Sequence, residues 1–191
     1  MTTTLPEFQT ARLALLPRTI ADLDLIAALN TDPEVMRHIA PIGDPAMGRE
    51  GIAARSFSHV ARGLGYWSLF IQDGGQDFVG YVGLIPDGEV PDRVQVSYRF
   101  ATRYWGKGLG FEAVSRLLHH GFEALALPEI AVVTHPQNIA SLRLAEKLGF
   151  EREATRPDAL IGDPPVPALG LRQSRARWLA RAQAASGLNA R

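Results

Sequence analysis

Apolar residues at every second position mark residues 94–100 as a strand, with Val94, Val96, Tyr98 and Phe100 facing one way and Gln95, Ser97 and Arg99 the other. The period then changes. From Leu109 to about Leu127 the apolar set Phe111, Val114, Leu117, Leu118, Phe122 and Leu125 recurs at helical spacing. The opposite face carries Glu112, Ser115, Arg116, His119, His120 and Glu123, which puts both histidines at the surface. Between strand and helix lies "RYWGKGLG" (103–110), three glycines and a lysine in eight positions. Glycine costs backbone entropy, so this density points to a main chain that something approaches closely.

The flanking patterns extend the same theme. "TARLALLP" (10–17) reads as a strand ended by Pro17. Thr19 with Asp22 three residues on caps a helix over 19–30, and Asp32-Pro33 opens a second short one. "PAMGREGIAARSFSHVARG" predicts a helix weakened by Gly48 and Gly51. "YWSLFIQDGGQDFVGYVGL" predicts two strands joined at Asp73-Gly74-Gly75. "EIAVVTHP" is a short buried-type strand, and "NIASLRLAEKL" a helix capped by Asn138 and stopped at Gly149. Phe150 onward returns to extended chain, "GDPPVP" is turn-rich, and "ALGLRQS" makes a last strand. There is no internal repeat and no dividing linker. The pattern predicts an α/β (α+β mixed sheet) fold, three layers around one mixed sheet, in a single domain over residues 1–191.

Composition narrows this reading only a little. With 191 residues and 46% hydrophobic content the chain can bury about 70% of its unfolded surface. Formal net charge is +0, so no global field draws it to nucleic acid or anionic membrane. The distribution is uneven: Arg172, Arg175, Arg177, Arg181 and Arg191 come with no acid among them, a basic tail from about residue 175. Such a tail suits either a solvated end or contact with RNA or the ribosome. No cysteine is present, which removes disulfides, thiolate metal sites and a cysteine nucleophile. No secretory signal or apolar run of about 18 residues is visible, so the cytoplasm is the expected compartment and no membrane is involved.

A strand, a glycine turn and a helix start present successive N–H groups and a helix dipole, a combination suited to phosphate. A Walker loop fails at Ala101 and Gly108, and the dinucleotide fingerprint fails at Phe111. What fits is R-x-x-G-x-G, as Arg103-Tyr-Trp-Gly106-Lys107-Gly108. Here the sequence resembles the GNAT superfamily of acyl-CoA-dependent N-acetyltransferases, in particular the RimJ/RimL-like branch of ribosomal-protein N-terminal acetyltransferases. "TARLALLPRTIADLDLIAALNTDPEVMRHI" is similar to that branch's opening strand and paired helices. "YWGKGLGFEA" is similar to its pyrophosphate loop, and "THPQNIASLRLAEKLGFERE" to its N-x-x-S and E-K-x-G-F segment.

The resemblance implies acetyl-CoA as co-substrate and no metal. Amides around Gly106, Lys107, Gly108, Leu109 and Gly110 would cradle the pyrophosphate, a side chain at 106 or 108 blocking its approach. Two neighbouring strands would splay, exposing main-chain groups of Phe100 and Ala101 to the pantetheine arm. Asn138 and Ser141 would follow on one helical face. Other readings stand beside these: Asn138 as a helix cap, Trp105 as packing under the loop, Lys147 as solvated.

The implied chemistry is attack by a neutral amine on a thioester in a ternary complex. Two expected residues are absent. Ala145 stands where many relatives carry an acidic tyrosine, and Gln95 where many carry a glutamate base. Ser141 remains as donor to the sulfur and His135 as the side-chain base, ahead of Glu34 and His38. A weak base favours an α-amine, with a pKa of about 7.7–8.0, over a lysine amine at about 10.4. The expected function is therefore acetylation of a protein or peptide N-terminus. A small-molecule amine, a catalytically weak CoA-binding protein and a homodimer stay open.

Overall fold

A computed structural model describes residues 4–72, 77–88 and 90–188. In chain order these residues form β1 (Phe8–Gln9), β2 (Leu13–Pro17), α1 (Leu23–Leu29), α2 (Pro33–Met36), α3 (Arg49–Ser56), β3 (Gly65–Ile71) and β4 (Phe78–Pro86). There follow β5 (Val94–Phe100), α4 (Leu109–His119), β6 (Glu129–Thr134), α5 (Ile139–Leu148), β7 (Glu151–Ile161), β8 (Val166–Ser174) and α6 (Arg175–Leu188). The eight strands make one sheet in the order β1-β2-β3-β4-β5-β6-β8-β7. Every neighbouring pair is antiparallel except β5 and β6. The predicted mixed sheet between helical layers is therefore observed. The predicted turn at Asp73-Gly74-Gly75 and the terminal Arg191 lie outside the described residues.

Two apolar clusters share the sheet. On one face Leu13, Leu15, Trp67, Val82 and Val96 meet Val114, Leu117 and Leu118 of α4 and Leu142 of α5. On the other, Tyr66, Phe78 and Tyr81 meet Leu23, Ile26 and Leu29 of α1, Val35 of α2 and Ile52 of α3. Alternation along β5 sends Val94 and Val96 to the first cluster and Arg99 to the second face, where its guanidinium lies 5.6 Å from the Tyr81 ring.

Three predicted elements differ for local reasons. The first strand starts at Leu13 because Thr10 turns the chain, its N–H donating to the Leu13 carbonyl at 2.9 Å and its hydroxyl oxygen accepting the Leu13 N–H at 3.0 Å. The predicted helix around residues 45–63 breaks into three pieces, with Pro45–Met47 and Val60–Arg62 as single three-ten turns around α3. Gly51 is seated on the first turn, where a Cβ would lie 2.6 Å from Ala46. The long helix ends as α4 at His119 and widens into a π-helical turn over His120–Ala124. There Gly121 lets the backbone approach β6, where a Cβ would stand 2.7 Å from Ile130.

That turn also corrects the placement of His120 at the surface. Its ring is 8% exposed and packs at 5.1 Å from the Phe8 ring and 5.8 Å from Trp67. The arginine tail differs too. Arg175 donates to the Phe122 carbonyl at 2.7 Å, Arg177 to Gly149 at 3.1 Å and Arg181 to Lys147 at 3.3 Å. These carbonyls lie at or beside helix C-termini, where cations complement both the orphan acceptors and the dipole. The described part of the tail is a docked helix rather than a frayed end. No helix among the described residues is long and apolar enough to cross a membrane.

Burial, then the Arg116 charge, holds the His120 pKa below 6.5, against an opposing hydrogen bond with the Gly63 backbone. The neutral ring is favoured in the fold. Its contribution is thus complete above 6.5 and is lost as pH falls through the depressed folded value. Thermal unfolding from about pH 7.5 to 5.5 is expected to show wild type losing stability faster than His120→Leu, by at most about 1.4 kcal/mol per pH unit. Parallel pH profiles would overturn this assignment.

Candidate functional site

β5 and β6 are paired only at Val94↔Ile130 and Gln95↔Ala131. Beyond that point β6 stays with β8 as far as Thr134↔Leu169, while β5 stays with β4 as far as Gly80↔Phe100. The two strands diverge, and one edge of β5 faces no strand. The Ala101 N–H donates to the Val79 carbonyl at 2.9 Å, so by antiparallel alternation the main-chain groups of Tyr98 and Phe100 point into the gap. Ala101 itself is not available there, because its carbonyl accepts from the Tyr104 N–H at 2.9 Å. The Phe100 carbonyl accepts the indole N–H of Trp105 at 2.7 Å. Trp105 is 47% exposed, so it borders the opening rather than packing under the loop.

After a three-ten turn at Thr102–Tyr104 the chain passes Gly106 at φ +72° and Gly108 at φ +77°, and α4 begins at Leu109. Both glycines are in the left-handed region that side chains resist. A Cβ at Gly106 would meet nothing within 4 Å, and one at Gly108 only the Arg12 guanidinium at 3.5 Å. Backbone handedness thus selects these two glycines, and the space above them is open. Gly110 is a packing residue, since its Cβ would lie 3.4 Å from both Phe100 and Leu144. No side chain caps α4. Among the described residues no acceptor takes the N–H groups of residues 106–111. An open cradle with unsatisfied donors at a helix N-terminus fits an anion.

The cradle is held from below. Arg12 donates to the Lys107 carbonyl at 2.8 Å and to the Glu112 carboxylate at 2.7 Å, and its own N–H meets that carboxylate at 2.8 Å. The Thr10 hydroxyl joins at 2.5 Å. Of the residues singled out by sequence, Arg103 turns away, donating to the Phe78 carbonyl at 3.1 Å with its guanidinium 4.8 Å from the Tyr104 ring. The Lys107 ammonium stands 5.6 Å from that same ring, and the Lys147 ammonium 4.5 Å from the Phe111 ring.

The gap opens into a groove of about 510 Å³ walled by α2, the end of β5, the glycine turn and the start of α5. Phe100, Gly106, Gly108, Leu109, Gly110, Asn138 and Ser141 line it; Ala101, Arg103, Lys107 and His135 do not. Asn138 caps α5, its Oδ1 accepting from the Ser141 N–H at 3.1 Å, which leaves its amide N–H₂ uncommitted. The Tyr98 hydroxyl lies 2.9 Å from Ser141 Oγ. Ala145, one turn further on, is fully buried in the core. Thr102 and Asp32 meet at 3.2 Å, tying α2 to the turn.

His38 also lines the groove, with its ring centroid 4.8 Å from that of His135. Burial, then His135, then Arg37 lowers the His38 pKa below 6.5, with Glu34 opposing. The Gln137 N–H donates to His135 Nδ1 at 3.0 Å, so a neutral His135 carries its hydrogen on Nε2. Glu34 is the one carboxylate lining the groove among the described residues, and it is ion-paired with Arg37. Tyr98 and Arg12 were not singled out from sequence. Alternation alone placed Tyr98 on the right face, whereas Arg12 carried no local signal.

A family model described as an acetyltransferase (GNAT) domain matches residues 12–151, and the chain belongs to that family. The uncharacterized N-acetyltransferase p20 of Bacillus licheniformis is 27% identical over 151 residues, which span 78% of this chain and 84% of that protein. The ribosomal-protein-S5-alanine acetyltransferase of Vibrio fischeri shares the fold at a TM-score of 0.73 and 19% identity, over 91% of this chain and 98% of that one. The spermidine N-acetyltransferase of Vibrio cholerae, solved with CoA and spermine, does so at 0.72 and 18%, over 87% and 98%. The protein is an N-acetyltransferase, moving an acetyl group to an amine.

Burial raises the Glu112 pKa, but the Thr10 hydroxyl and the Arg12 side chain and N–H outweigh it and leave it below 4.5. The stabilisation this represents is full above 4.5 and is lost as pH falls through the folded value. Glu112→Gln should cost about 0.5–1 kcal/mol near neutral pH, a modest figure because Arg12 is half exposed. Urea titrations should show the difference from wild type shrinking below 4.5. An undiminished difference in acid would mean that the charge is not what anchors the turn.

Proposed function

We propose that the groove binds acetyl-CoA and directs it to an α-amine, on a peptide or protein N-terminus, by direct transfer in a ternary complex. The unsatisfied N–H groups at 106–111 and the α4 dipole hold the diphosphate, with Lys107 adding charge at the rim. The free edge of β5 at Tyr98 and Phe100 and the amide of Asn138 align the arm that follows. When bound, acetyl-CoA supplies an activated acyl carbon and a sulfur leaving group. Ser141 donates a hydrogen bond at the leaving-group end. The chain has no cysteine that could carry an acyl group.

The base is drawn from the two histidines. His135, favoured on sequence, has its acceptor nitrogen engaged by the Gln137 N–H. His38 lines the groove, and no hydrogen bond fixes its ring among the described residues. The assignment therefore moves to His38, with His135 buttressing it. An imidazole held below 6.5 is mostly neutral near pH 7 and accepts the proton that the neutral fraction of the amine gives up as it attacks.

The observation that carries the acceptor choice is the lack of a free carboxylate among the described residues that line the groove. Glu34 is paired with Arg37, so the groove offers little to a polycation or to a lysine that must first be stripped of its charge. About a tenth of α-amines are neutral near pH 7, against a few parts in ten thousand of lysine amines. Mass-spectrometric screening with acetyl-CoA should find N-terminal peptides acetylated with a kcat/KM about a hundredfold above that for Nα-blocked lysine peptides. The kcat/KM profile should carry one acid limb at the amine's own value of about 7.7–8.0 and a second below 6.5 that vanishes in His38→Gln. A preference for lysine peptides or polyamines would refute the acceptor assignment, and coenzyme A affinity that survives Gly106→Val with Gly108→Val would refute the cradle.

A further inference from the structure

The phenol of Tyr98 reaches the groove from the sheet and meets Ser141 on α5, an arrangement that no resemblance assigned. Tyr98 has one hydroxyl proton and two oxygens within reach, Ser141 Oγ at 2.9 Å and the Ser141 carbonyl at 3.4 Å. The carbonyl lies inside α5 and is served by the helix ladder, so the shorter contact takes the phenolic proton. Ser141 Oγ then acts as acceptor and keeps its own hydrogen. A helical serine commonly gives that hydrogen to the carbonyl four residues back, yet no such bond from Ser141 to Gln137 is present among the described residues. Ser141 lines the groove, so the remaining direction for its O–H is outward.

Building on the acetyl-CoA reading above, we infer that Tyr98 is a positioning residue that aims the Ser141 O–H at the sulfur end of the pantetheine arm. The fold supports this at three points. The Tyr98 ring packs against the core, with Phe100 at 6.2 Å, so the phenol oxygen is fixed rather than swinging. The Ser141 N–H is held by Asn138 Oδ1 at 3.1 Å, which fixes the start of α5. Burial raises the Tyr98 pKa to about 12, with the Ser141 hydrogen bond acting the other way, so the phenol stays a donor throughout the working range. Ala145, one turn along α5, is sealed in the core and leaves the strand as the source of a second hydroxyl. The pair moves no proton to sulfur; it presents one oriented hydrogen bond to a developing negative charge.

The experiment needs no acceptor amine. Calorimetric affinities for coenzyme A and for desulfo-coenzyme A are compared across about pH 7–9, where a thiol near 8.5 ionises. The proteins are wild type, Tyr98→Phe, Ser141→Ala and the double variant. Wild type is expected to prefer the thiol ligand increasingly as pH rises. Tyr98→Phe should lose about tenfold of that preference, the worth of one hydrogen bond to a charged group, while its affinity for desulfo-coenzyme A is kept. Ser141→Ala should lose at least as much, and the double variant no more than Ser141→Ala alone. Equal weakening of both ligands by Tyr98→Phe, or an unchanged ratio, would overturn the positioning role while leaving the cofactor reading intact. Wild type that bound neither ligand would overturn both.

Discussion

Two residue pairs, Val94↔Ile130 and Gln95↔Ala131, are all that join the two halves of the sheet. A full parallel ladder there would satisfy the β5 edge and close the site. Instead each strand is committed elsewhere, β5 to β4 through seven registered pairs and β6 to β8 through six. The commitment is enthalpic and steric together. Each strand follows the neighbour with which it shares the longer ladder, and the ring of Phe100 and Leu144 of α5 both lie against Gly110 in the wall of the groove between them. An unpaired edge inside a sheet is costly unless something covers it. Trp105 takes one acceptor, and the remaining groups give the groove its capacity for an extended, amide-rich guest.

The groove is also where two helix N-termini converge. α4 begins at Gly108 and α5 at Asn138, and both starts line it. Their opposite ends are treated in the complementary way. Arg177 and Arg181 sit on the last carbonyls of α5, and Arg175 on the turn that extends α4. Positive ends facing the cavity and cations at the distal ends form one electrostatic scheme, with the length of each helix between them. Three arginines of the basic C-terminal segment, Arg175, Arg177 and Arg181, take this role. At the near end, the Thr10–Glu112–Arg12–Lys107 chain fixes the height of the glycine turn against the β1–β2 hairpin.

How much of this was legible in the sequence follows from the range of each interaction. Caps at Asp32 and Asn138, the left-handed stop at Gly149 and the β5 alternation depend on residues three or four positions apart, and they appear as read. His120 was misplaced because a π-turn shifts the helical phase, turning a polar-face residue inward where Phe8 and Trp67 wait. Arg12 was invisible because its partner lies a hundred residues away on α4. Trp105 was read as packing under the loop, whereas its N–H meets the Phe100 carbonyl that the splayed strand leaves open. The glycines at 106 and 108 were read as space for a ligand; their positive φ shows that handedness already demands them before any ligand is considered.

The absences at Gln95 and Ala145 acquire a common explanation from the same geometry. A carboxylate base and a helix-borne phenol are the expected acid–base pair, and this chain holds neither at the expected positions. The lining carries milder groups, an imidazole beside a neighbouring imidazole and a hydroxyl within hydrogen-bond reach of a second hydroxyl. Among the described lining residues the one carboxylate is paired with Arg37, and Arg99 adds a further cation to the wall. A cavity of that character stabilises charge as it forms and does little to strip charge from an acceptor that arrives protonated. On the proposed reading, an α-amine, of which about a tenth is neutral near pH 7, asks less of such a cavity than a lysine amine does.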